Sequence, residues 1–89
     1  MKAIYETSEA FPKEEKFGLT SQLRRASVSV SSNIAEGSTL WSKKDKARFY
    51  KIAFGSLVEV LNQLILSNDL RFLTNNKLKE LRNDIDPIG

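Results

Sequence analysis

Residues 19–37 read LTSQLRRASVSVSSNIAEG, and this stretch decides the fold. Leu19, Leu23, Ala26, Val30 and Ile34 recur at steps of four and three, the spacing that lines one side of an α-helix. That side must face a core. The opposite side holds Ser21, Arg25, Ser29, Ser32 and Glu36, small or polar enough to admit a second backbone, so this helix offers two faces for packing. Gly37 is expected to stop the helix as the residue just past its C-terminal cap.

Downstream, the short loop through Trp41 leads to Ser42 and Asp45, a capping box with Asp in place of Glu. The helix it opens, residues 42–69, carries the strongest periodic signal in the chain. Tyr50, Phe54, Leu57, Leu61 and Leu64 form its stripe, flanked by Ala53, Val60 and Ile65. It spans roughly 40 Å at ~1.5 Å per residue. Thr74 reads as the N-cap of a last helix, residues 75–85, with Leu78, Leu81 and Ile85 inward and Pro87 and Gly89 closing it.

Upstream, Ile4, Tyr5 and Phe11 give a short helix over 2–11, with Glu6 and Glu9 on its wet side. Pro12 ends it, and Pro12 to Gly18 forms a corner holding about one helical turn. No strand pattern competes. The expectation is one all-α domain over residues 1–89, an antiparallel up-down four-helix bundle with shortened first and fourth helices. In that topology the long middle helices project past their partners at the end carrying Ile34, Trp41 and Phe49. The apolar surface left there calls for an oligomer or another partner.

Composition agrees and narrows the chemistry. With 40% hydrophobic and 28% charged residues, the chain has a globular profile rather than a disordered one. Its 89 residues support one small core. Fourteen Lys and Arg against eleven Asp and Glu leave a charge of +3, which permits nucleic-acid binding without demanding it. The chain has no cysteine and no histidine. That removes disulfides, the usual zinc sets and both the Ser-His-Asp and Cys-His arrangements.

Glu14, Glu15, Glu36, Asp45 and Glu59 show no convergent spacing, and there is no Gly-rich phosphate loop. Asn33 and Glu36, with Arg48 and Glu59, are the one polar cluster, and they read as caps, loop anchors and interface ion pairs. No enzyme activity, cofactor or metal is expected. The apolar runs are short for a bilayer and the amino terminus lacks a signal-peptide block, so a cytoplasmic protein that avoids membranes is the expectation.

Two constellations carry function. Trp41, Lys43, Lys44, Lys46, Arg48 and Lys51 concentrate basic charge around a single acid, Asp45, next to an aromatic able to stack on an unpaired base. A basic first turn also opposes the helix dipole, which favours a binding role over a purely solvated one. The second is an outer line on the third helix, namely Arg48, Ile52, Gly55, Glu59, Gln63 and Leu66. With Arg25, Ser29, Ser32 and Glu36 of the second helix it forms the expected subunit contact. Gly55 in a helix interior fits close approach by another helix. Adjacent Arg24 and Arg25 cannot face one way, so one is structural. Arg25 is left either to meet a carboxylate across an interface, such as Glu59, or to stand as an ordinary exposed arginine.

Several motifs resemble a known family. Phe11-Pro12, Gly18-Leu19, Gln22, Arg24 to Ala26, Ser32 to Gly37, Gly55-Ser56-Leu57, Glu59 and Gln63-Leu64 are similar to the 23S rRNA intervening-sequence proteins, also called four helix bundle proteins. The resemblance spans most of Phe11 to Leu73. It implies a four-helix bundle that forms ring-like homo-oligomers, commonly pentamers, with no assigned catalytic activity. A related branch serves diversity-generating retroelements as an accessory to reverse transcriptase, with a basic surface for nucleic acid and protein. This chain differs at Ser31, where relatives often carry proline, at Leu61, a place often acidic in relatives, and at Arg71, where a glycine usually ends the third helix. Relatives also carry longer first and fourth helices. The functional expectation is a non-enzymatic oligomeric bundle that binds RNA or other nucleic acid. The alternative is a protein-interaction scaffold, such as a reverse-transcriptase accessory subunit.

Overall fold

The computed structural model describes residues 2–15 and 17–85, with the backbone alone at Lys2, Asp84 and Ile85. Four helices follow in order: α1 (Lys2–Glu9), α2 (Leu19–Ser38), α3 (Lys43–Asp69) and α4 (Asn75–Ile85). A 3-10 turn at Lys13–Glu15 supplies the corner between the first two. No strand occurs among the described residues. The all-helical bundle read from the sequence is therefore the observed architecture. α2 and α3 form the long antiparallel hairpin, α1 lies against α2, and α4 lies against α3. The Pro87 and Gly89 stop and the inward side chain of Ile85 lie outside the described residues.

Each boundary has a local cause. α1 ends at Glu9 rather than Phe11, because the Ala10 and Phe11 amides turn back to the carbonyls of Thr7 and Ser8 at 3.3 and 3.1 Å. The proline that follows disfavours helical geometry at Phe11. α2 has no side-chain cap from Gly18. Instead the Glu15 carboxylate accepts the Leu19 amide at 3.3 Å, placing an anion at the positive end of the helix. The two expected caps are present: Ser42 Oγ accepts the Asp45 amide at 3.4 Å, and Thr74 Oγ1 accepts the Lys77 amide at 3.1 Å.

α3 stops in a Schellman turn. The Phe72 amide donates to the Ser67 carbonyl at 2.9 Å and the Arg71 amide to that of Asn68 at 3.0 Å. This puts Arg71 at φ 66°, the left-handed position that glycine fills without strain.

Gly37 does not stop α2, which continues to Ser38. The glycine serves packing instead. A Cβ there would lie 2.6 Å from Cε1 of Tyr50 and 3.3 Å from Cβ of Phe49, so a larger residue would force the Tyr50 ring to move.

The core sits at one end of the hairpin. Ile4, Phe11, Leu19, Leu23, Ala26, Val60, Leu64, Leu73 and Leu81 pack together there, with Phe72 and Leu78 against them. The rings of Phe11 and Phe72 lie 5.9 Å apart. Arg24 ties α1 to this end. Its Nε donates to Ser8 Oγ at 2.8 Å, its Nη2 donates to the Tyr5 carbonyl at 3.2 Å, and its guanidinium lies 5.0 Å from the Tyr5 ring centre. Arg24 is thus the structural member of the arginine pair.

The buried line of α3 keeps Leu64 of the expected stripe and its flanking Ala53 and Val60, but not the rest. It runs Ala53, Ser56, Val60, Leu64 and Ser67, while Tyr50, Phe54 and Ile65 are exposed and Leu57 and Leu61 half-buried. The small residues win the seam because α2 approaches closely, with Ser29 and Ser56 in direct contact. Tyr50, Phe54 and Leu57 of the bulky stripe instead border an open cleft with Val30 and Ile34 of α2. Ile34 follows the same logic: it continues the stripe of α2 but is 50% exposed, since neither terminal helix reaches it. Ser27 is buried and donates to the Leu23 carbonyl, so the serines of α2 do not share one exposed face.

Among the described residues, α3 is the one helix long and apolar enough to cross a membrane, by length and composition. Any 18-residue window within it includes Glu59, however, and its seam with α2 holds the Ser29–Ser56 hydroxyl contact.

Candidate functional site

The hairpin tip assembles the first constellation. Leu40 is half-buried, Trp41 is 99% exposed, and Ser42 then opens α3. Lys43 and Lys44 follow, both exposed. Lys44, Arg48 and Lys51 stand at steps of four and three, one exposed ridge that begins beside the tryptophan. Lys46 is half-buried and departs from this ridge, because its position is shared with the flank toward α2. The Arg48 guanidinium lies 5.2 Å from the Phe49 ring centre, which holds that cation against the helix. The tip therefore offers closely spaced cations and one free aromatic face. That chemistry suits phosphates and an unstacked base.

The second constellation is centred on Ser29 and Ser56, whose hydroxyl oxygens are 2.7 Å apart. Asn33 Nδ2 donates to the Ser29 carbonyl at 2.8 Å and lies 3.2 Å from its hydroxyl. This amide is thus used within α2. Arg25, Ser32 and Glu36 stand four before, three after and seven after Ser29. Ile52, Glu59 and Gln63 stand four before, three after and seven after Ser56. Both lines fall on the side of the hairpin away from the core, here called the back face. Arg48, Gly55 and Leu66 border it on α3.

Arg25, Glu36 and Glu59 are exposed, and none makes an ion pair among the described residues. Ile52 is 46% exposed, and a Cβ built at Gly55 meets nothing within 4 Å. Gly55 is thus not required by packing inside the protomer. Gln63 is half-buried, and its Oε1 has no hydrogen-bond partner. The structure thus gathers the expected contact residues on one face, and it brings Arg25 and Glu59 to neighbouring levels without joining them.

A third surface is the open end of the core. Val30, Ile34, Tyr50, Ala53, Phe54 and Leu57 line an apolar cleft of about 320 Å³. Tyr50, Phe54 and Leu57 were expected in the core, whereas Val30, at the floor of the cleft, is buried as expected. The signal that could have placed them here is the brevity of the flanking helices, which also predicted exposure of Ile34. No cluster of three or more acidic, histidine or cysteine side chains suited to a metal occurs among the described residues.

A comparison with curated proteins found no match. A family model described as 23S rRNA-intervening sequence protein matches residues 1–89, the whole length of the sequence given. With the helical bundle already established, this match means that the chain belongs to the 23S rRNA-intervening sequence protein family.

Proposed function

We propose that this protein is a non-enzymatic, homo-oligomeric helical bundle that binds RNA, or nucleic acid generally, through the hairpin tip. The observation that carries the reading is the pairing of Trp41, 99% exposed, with the cationic ridge Lys44, Arg48 and Lys51. Lys43 and Lys46 add charge around it. A tryptophan in the open contributes nothing to the core, and stacking on a base is worth about 1–3 kcal/mol. Self-assembly is supported by the back face and by the open apolar cleft, and the family resemblance carries the expectation of a pentameric ring. The reading places the protein in the cytoplasm, without a cofactor.

Fluorescence anisotropy with ribosomal-RNA hairpins tests the binding. Affinity should fall steeply as salt rises, since each neutralised phosphate releases a counterion. Changing Lys43, Lys44, Lys46 and Lys51 to Glu should abolish binding. Affinity left intact by those changes, or no binding at low salt, rejects the reading. The second reading is a protein-interaction scaffold, including an accessory role beside a reverse transcriptase. Ile52, large and exposed on the back face, favours it. Partner capture that survives lysine reversal and fails for Ile52→Glu would select the scaffold.

A further inference from the structure

The tip that carries Trp41 is fixed from within. Ser38 Oγ donates to the Ala35 carbonyl at 2.7 Å and Thr39 Oγ1 to that of Glu36 at 2.8 Å. The Thr39 and Leu40 amides return to the carbonyls of Glu36 and Gly37 at 3.2 and 3.3 Å, and Ser42 Oγ holds the Asp45 amide. The indole therefore stands on a backbone already ordered, and at 99% exposure its ring is open to solvent. A ligand that stacks on it has little of the tip left to order.

The cationic row beside it is short. From Lys44 to Lys51 it rises about 10 Å at ~1.5 Å per residue. Continued at the same steps, the row becomes Gly55, Val58 and Asn62, all exposed and none charged. Arg48 stands within the charged part, its guanidinium 5.2 Å from the Phe49 ring centre. A stacked strand advances ~3.4 Å per nucleotide, so the row matches the phosphates of about three nucleotides.

We infer that the tip takes a short unpaired stretch of nucleic acid, with one base stacked on Trp41 and the adjoining phosphates along Lys44, Arg48 and Lys51. Continuous duplex fits poorly on both counts. Along its length the bases are stacked on one another and present no face to an indole. Recognition of A-form duplex by shape also needs contacts spread over two successive grooves, across about 16 base pairs. One row that loses its charge after about 10 Å does not supply them. The inference rests on the nucleic-acid reading above and narrows its ligand, and the chemistry is common to RNA and DNA.

Trp41 is the one tryptophan in the chain, so its emission reports contact at the tip directly. The full chain is titrated with a blunt RNA duplex, with the same duplex carrying a bulge of three adenines, and with a single strand of six adenines. Affinities come from the anisotropy of the labelled probes. The bulged duplex and the single strand should quench the emission and bind about tenfold or more tighter than the blunt duplex. Trp41→Ala should remove that preference and leave the affinity for the blunt duplex unchanged, while Trp41→Phe should keep most of it. For the single strand, log affinity should fall with log salt at a slope of about −2, from three phosphates at ~0.7 each. The same titrations with DNA probes separate the two sources of this chemistry. Four results overturn the inference and leave binding through the cations standing: equal affinity for bulged and blunt duplex, binding without quenching, a Trp41→Ala variant that keeps the preference, or a slope steeper than about −4. No binding of any probe at low salt overturns both.

Discussion

Ser29 of α2 and Ser56 of α3 meet hydroxyl to hydroxyl at 2.7 Å, and this contact sets both the spacing and the register of the central hairpin. Larger residues at either position would push the helices apart. The same contact turns Ala53 and Val60 into the seam and rotates Tyr50 and Phe54 out of it.

A double-mutant cycle on this pair should show coupling. Ser29→Ala and Ser56→Ala are each expected to cost about 1 kcal/mol, and the double variant less than their sum, because neither hydroxyl is then left without its partner. Urea unfolding of the three variants measures this. Strict additivity would mean that the bond contributes nothing beyond packing.

The two helical glycines should respond oppositely to alanine. Gly37→Ala places a methyl 2.6 Å from the Tyr50 ring and is expected to destabilise by about 1–3 kcal/mol through overpacking. Tyr50→Ala in the same chain should recover part of that loss. Gly55→Ala meets open space and should stabilise the protomer by about 1 kcal/mol, the difference in helix propensity. Thermal unfolding of dilute protein separates the two, and weaker association of the stabilised Gly55→Ala would assign the glycine to the contact between copies.

Arg71→Gly should stabilise. A side chain in the left-handed region costs about 1–2 kcal/mol, and glycine removes that cost while keeping both Schellman hydrogen bonds. Glycine also gains freedom in the unfolded chain, so the net gain expected is about 0.5–1 kcal/mol. A lower melting temperature for Arg71→Gly would mean that the arginine side chain has a stabilising contact of its own.

Adjacent arginines should separate by role. Arg24→Ala removes donors to Ser8 and to the Tyr5 carbonyl and is expected to cost about 1–3 kcal/mol, with loosening of α1 visible in amide exchange. Arg25→Ala, exposed and unpaired in the protomer, should change the stability of a single copy by less than about 0.5 kcal/mol. Equal losses at both positions would contradict this division.

The sequence by itself determined the elements. Periodicities of three and four, the Ser42 and Thr74 caps, Pro12 and the absence of alternating strands fixed four helices and their order, because these signals act within one or two turns of chain. Family motifs between Phe11 and Leu64 gave the bundle, and the basic run after Trp41 was legible because charge and exposure go together at a helix start. The tertiary structure alone decided which side of α3 is buried. Its apolar residues nearly encircle the helix, so periodicity identifies a stripe but cannot choose between the bulky one and the small one. That choice depends on how closely α2 approaches, and it was made by Ser29, Ser56 and Gly37, residues whose small size is silent in a hydrophobic pattern. Tertiary structure likewise settled that Gly37 packs rather than caps and that Arg24 rather than Arg25 is held within the fold. Distances across two helices are set by packing, and no local spacing in the chain encodes them.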